Sequence, residues 1–133
     1  MTIQERYEGI QNVLYKCGAE GCLFLCLCSI AEEVTGKPVD LVGAIRTCQK
    51  NWSLAADFNC NDSIRILSTL TGREWKRFEV TDPQFIAADN QYTVAKYVNG
   101  KKQHFRRRSW DVYDNSIAVR EGKFVGLYVY EVI

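Results

Sequence analysis

The stretch Gly21-Cys22-Leu23-Phe24-Leu25-Cys26-Leu27-Cys28-Ser29-Ile30-Ala31 constrains this chain more than any other. It is a nearly unbroken apolar run behind a glycine. A helix apolar on every side has to be buried, so the run predicts a central core helix over about residues 22–34. Cys22 falls in its first turn. A cysteine in that position faces unpaired backbone N–H groups and the positive end of the helix dipole, and both favour a thiolate. Glu32 and Glu33 belong to the solvated face, and Thr35-Gly36-Lys37-Pro38 supplies the stop.

A core helix of this kind needs a domain around it, and 133 residues suit one domain spanning 1–133. Hydrophobic residues at 47% and charged residues at 25% are ordinary globular values and argue against disorder. Seventeen basic and sixteen acidic residues give a net charge of +1. That balance does not mark a nucleic-acid binder or a polybasic membrane protein. Met1 to Ile10 holds no apolar run of the signal-peptide kind. Cys22 to Ile30 is shorter than the roughly 20 residues that span a bilayer. The expected compartment is therefore the cytoplasm. Six cysteines raise the question of disulfides, but a reducing compartment argues against them. Cys17, Cys22, Cys26 and Cys28 lack the C-x-x-C pairs usual in zinc sites, so no metal or other cofactor is expected. Apart from Cys22, the cysteines read as small buried hydrophobes.

Thr2 and Glu5 can form a capping box. Ile3, Tyr7, Ile10 and Leu14 follow on one helical face, with Gly18 as the expected stop. Asp40 is placed to cap a third helix carrying Leu41, Val42, Ala44, Ile45 and Cys48. Asn51 to Cys60 is irregular, with Trp52 and Phe58 as expected anchors. Asn61 or Asp62 then caps a fourth helix through Ile64, Ile66, Leu67 and Leu70, closed by Gly72. Beyond Gly72 the period becomes that of strands. Trp75 to Val80 alternates, Asp82-Pro83 marks a turn, and Tyr92 to Val98 is a second strand. Asn99-Gly100 is the strongest hairpin signal, and the returning strand holds His104. Trp110 to Tyr113, Ile117 to Val119 and Phe124 to Ile133 complete the extended pieces. Helices first and strands second predict an α+β fold with an antiparallel sheet.

Three residues in this order match a thiol hydrolase. Cys22 supplies a nucleophile at a helix start, and His104 supplies a base to hold its proton. Asp111 supplies a group to orient the base, provided that the chain turns tightly at Arg107 to Ser109. The cluster Lys101, Lys102, Arg106, Arg107 and Arg108 reads first as a solvated hairpin, with a patch for an acidic partner or nucleic acid as the sharper alternative. Trp52, Trp75 and Trp110 are not interleaved with it and read as core residues.

Gly-Cys on a helix, His-Phe on a strand and Trp110-Asp111-Val112-Tyr113 together resemble the papain-like cysteine peptidases. The resemblance is strongest to the bacteriocin-processing, double-glycine peptidase-like branch and to small phage-type proteins of that shape. Asp114-Asn115-Ser116, Arg120-Glu121-Gly122-Lys123 and Leu127-Tyr128-Val129-Tyr130 look like the tail of such proteins. The resemblance implies a papain-like fold, with N-terminal helices packed on a C-terminal antiparallel sheet. It also implies a Cys22–His104–Asp111 triad and a peptide or protein substrate. Two positions depart from the family pattern. Lys16 stands where a glutamine would complete the oxyanion hole, with Gln11 and Asn12 the nearest amides, and Val112 replaces the proline after the aspartate. The alternative expectation is an inactive relative that binds a partner, such as a phage or mobile-element accessory protein.

Overall fold

A computed structural model of the chain describes residues 2–107 and 122–133. The described chain is α+β, with four helices followed by a four-stranded antiparallel sheet. It divides into two compact units, Met1–Thr71 and Gly72–Ile133. The boundary falls where the sequence changes from helical to strand period.

The first unit is helical. α1 (Ile3–Glu20) starts at Thr2, whose hydroxyl accepts from the Glu5 N–H at 3.1 Å. Gly18 does not stop it: the helix runs on for two residues and ends at Gly21. A glycine inside a helix costs only about 1 kcal/mol, which neighbouring turns absorb. α2 (Cys22–Thr35) is the apolar run, and Gly36 closes it in the left-handed conformation at φ 69°. Phe24, Leu27, Ile30 and Ala31 are fully buried. α3 (Leu41–Lys50) is capped by Asp40, whose carboxylate accepts from the Gly43 N–H. α4 (Ser63–Thr71) is capped by Asp62, which accepts from the Arg65 N–H at 3.0 Å. α2 packs against α4 and α1. Ile45, Leu54, Ile66 and Leu67 complete this core, with Phe58 set edge-on to Phe24 at 6.5 Å. Burial of each such large side chain contributes about 1.5–3 kcal/mol.

The connection from α3 to α4 corrects one expectation. Phe58 is buried, but Trp52 is 80% exposed and anchors nothing. Both residues adopt left-handed backbone, at φ 66° and 67°. The backbone hydrogen bonds Leu54 N–H to Cys48 O, Ala55 N–H to Asn59 O and Asp62 N–H to Ser53 O fold the segment into a tight loop. That loop turns the Trp52 side chain outward.

The second unit is the sheet, in the order β1 (Trp75–Val80), β4 (Lys123–Val132), β2 (Gln91–Asn99), β3 (Lys102–Arg107). The β2–β3 hairpin forms as expected, but its two-residue loop is Gly100-Lys101, with Asn99 opposite Lys102. Gly100, at φ 63°, takes the first central position, which suits a type II′ turn. A bulge between Lys96 and Tyr97 shifts the β2–β4 register. One face of the sheet carries the buried cluster Ala95, Tyr97, Leu127 and Val129. Glu131 ties three strands together, paired with Lys76 on β1 at 2.7 Å and accepting from Gln91 on β2 at 2.8 Å. Those hydrogen bonds hold its carboxyl below the ordinary value. Asp82 forms its turn by accepting from the Gln84 N–H. The expected strands at Trp110 to Tyr113 and Ile117 to Val119, together with Asp111, lie outside the described residues.

No single helix among the described residues is long and apolar enough to cross a membrane.

Candidate functional site

Cys22 occupies the first position of α2, as the sequence predicts. The first hydrogen bond within the helix runs from the Leu25 N–H to the Gly21 carbonyl at 2.8 Å. The N–H groups of Cys22, Leu23 and Phe24 therefore have no acceptor inside the helix. Gly21 offers no side-chain cap that would occupy them. Glycine is required here by close approach. A Cβ at Gly21 would lie 2.5 Å from the Cys17 carbonyl oxygen and 3.1 Å from its sulfur. Gly21 thus folds back onto the last turn of α1, and a side chain there would disturb the junction that leads into Cys22.

All six cysteines belong to the first unit, and all are free thiols. Cys17, Cys26, Cys28 and Cys48 are buried, while Cys22 and Cys60 are half-buried. Burial pushes the Cys17 and Cys48 thiols up in pKa. Cys28 is pushed up to about 12, first by burial and then by neighbouring Cys17 and Cys48. Cys60 also rises to about 12, from burial and the proximity of Cys22, Cys48 and Cys26. Neutral packed thiols of this kind are poor nucleophiles. Among the described residues, no group of three or more His, Cys, Asp or Glu side chains could hold a metal ion.

His104 lies mid-strand on β3 in the second unit, directly opposite Tyr97. Opposed residues share a face, so the half-buried imidazole is on the face that carries Ala95, Tyr97, Leu127 and Val129. Arg106, two residues on, shares that face through its partner Ala95. Cys22 and His104 thus belong to different units, and Asp111, the expected orienting group, is outside the described residues. Lys16, at the position of the missing glutamine, is exposed on α1, as are Gln11 and Asn12.

Sequence reasoning missed Trp52. An exposed tryptophan with left-handed backbone is an uncommon pairing, and such outliers collect at functional loops. Its only advance signal was the lack of period between Asn51 and Cys60.

Comparison of the chain with protein-family models, curated proteins and solved structures finds no match.

Proposed function

We propose that the protein is a thiol-dependent amide hydrolase of papain-like fold, acting on a peptide or protein substrate with Cys22 as nucleophile. The observation that carries this reading is the position of Cys22. It is a half-buried thiol at the uncapped start of a buried helix, while four of the remaining five cysteines are packed as core.

In the first step the Cys22 sulfur adds to the scissile carbonyl carbon, and His104 takes the thiol proton. The backbone N–H groups at the start of α2 donate to the oxyanion. The C–N bond then breaks, His104 gives its proton to the leaving amine, and a thioester remains on Cys22. In the second step His104 takes a proton from water, and the resulting hydroxide attacks the thioester. The carboxylate product departs and the Cys22 thiol is restored. Asp111 is assigned the task of orienting the His104 ring. Neither a metal nor a cofactor is needed to balance these steps.

A second reading, a binding protein that retains the fold without turnover, is favoured by Lys16 at the oxyanion-hole position. Hydrolysis of a fluorogenic peptide library separates the two. The hydrolase reading expects turnover that falls by at least about a hundredfold in Cys22→Ala and in His104→Ala, with folding retained. Activity that survives Cys22→Ala, or no turnover on any library member, would overturn it.

A further inference from the structure

α1 and α3 flank a groove of about 610 Å³ inside the first unit. Ile45 forms its buried floor, Ile10, Val13 and Val42 form its walls, and Arg6 and Arg46 stand at its edges. The apolar stripe of α1 continues past the groove. Ile3 is 77% exposed, Ile10 45% and Leu14 37%. This face matches the one read from sequence, yet the first unit does not cover it.

Gly9 also lines the groove. Glycine is among the poorest helix formers, and this one sits in the middle of an 18-residue helix. The fold does not demand it, because a Cβ at Gly9 would meet nothing within 4 Å. A glycine there leaves the α1 backbone open to close approach. The charges define what would approach. The Arg6 and Arg46 guanidinium groups form no ion pair with any described residue. Among the described lining residues Glu5 is the only acidic one, set against Arg6 and Arg46, so they carry excess positive charge.

We propose that this groove receives an amphipathic helix of a partner protein, with acidic residues flanking its apolar anchors. A helix suits the site better than a small ligand, because the exposed stripe from Ile3 to Leu14 runs for roughly 16 Å, about three turns. Apolar anchors fill the space over Ile45, the partner backbone passes over Gly9, and its carboxylates meet Arg6 and Arg46. This surface is separate from Cys22 and holds whether or not the protein is a hydrolase.

The test is fluorescence polarisation with a labelled Leu/Glu amphipathic helical peptide of about four turns, and with its Leu/Lys counterpart. The full chain should bind the acidic peptide at least about tenfold more tightly than the basic one. Gly9→Leu fills the groove and should weaken binding about tenfold or more, and Gly9→Ala, which adds only a Cβ beneath the partner backbone, should weaken it less. Arg6→Ala combined with Arg46→Ala should also weaken it. Circular dichroism checks folding, and both Gly9 substitutions favour the helix. Equal binding of the two peptides, or binding indifferent to Gly9→Leu, would overturn the proposal. So would a dimer in sedimentation that Gly9→Leu dissolves, which would give the groove to a second copy. Decanoate binding blocked by Gly9→Leu, with no peptide binding, would give it to a small amphipathic anion instead.

Discussion

Trp52 and Phe58 are aromatic residues of one loop that share a left-handed backbone and differ in burial, which makes them a controlled pair. At Trp52 the side chain is exposed, so glycine relieves the backbone cost and removes little packing. Trp52→Gly should raise stability by about 1 kcal/mol, read from the urea midpoint. At Phe58 the same relief is outweighed by an emptied core site, and Phe58→Gly should cost about 3–5 kcal/mol. Cys28 gives a pH test. Its folded pKa lies above the ordinary 9.0, at about 12, so the fold prefers the neutral thiol. The stability this contributes is fully present below about pH 9 and is lost as the pH rises toward 12. The urea midpoint should therefore fall between about pH 8 and pH 10.5, and Cys28→Ala should shrink that fall. An equal fall in the variant would show that other groups cause it.

At the scale of elements, the helix starts were legible because capping is local. Thr2, Asp40 and Asp62 each accept from the N–H three residues on, as their side chains allow. Asp40→Ala should cost about 0.5–2 kcal/mol without altering the remaining helices, as thermal unfolding and circular dichroism can check. Helix ends were less legible. Gly18 looks like a stop, but the chain selects Gly21, where a neighbouring turn leaves no room for a Cβ. The atoms in the way belong to Cys17, one turn back, and whether they crowd Gly21 depends on how the backbone bends there, which the presence of a glycine does not reveal. The hairpin shows the same limit. Asn99-Gly100 correctly marks the turn, but the strand register decides that Gly100-Lys101 form the loop.

At the scale of the molecule, the change of period near Gly72 announced the α+β class, and the boundary between the two units coincides with it. The strand order β1-β4-β2-β3 was not legible, because register rests on contacts far apart in sequence. Cys22 was legible as the first residue of a core helix, since a glycine before an apolar run is a local signal. The face of the sheet that holds His104 became readable only through its pairing with Tyr97. The open groove beside α1 was hidden for the same reason: period marks an apolar face but not what covers it.

The central claim is that Cys22 is a working nucleophile and that His104 serves it. It is tested most directly by mapping brief alkylation with iodoacetamide across the six cysteines at about pH 6, where ordinary thiols are almost wholly protonated. In the folded protein Cys22 should be labelled first, and His104→Ala should remove most of that preference while leaving the fold intact. Equal labelling of Cys22 and Cys60, or preferential labelling of Cys22 that persists unchanged in His104→Ala, would contradict the claim.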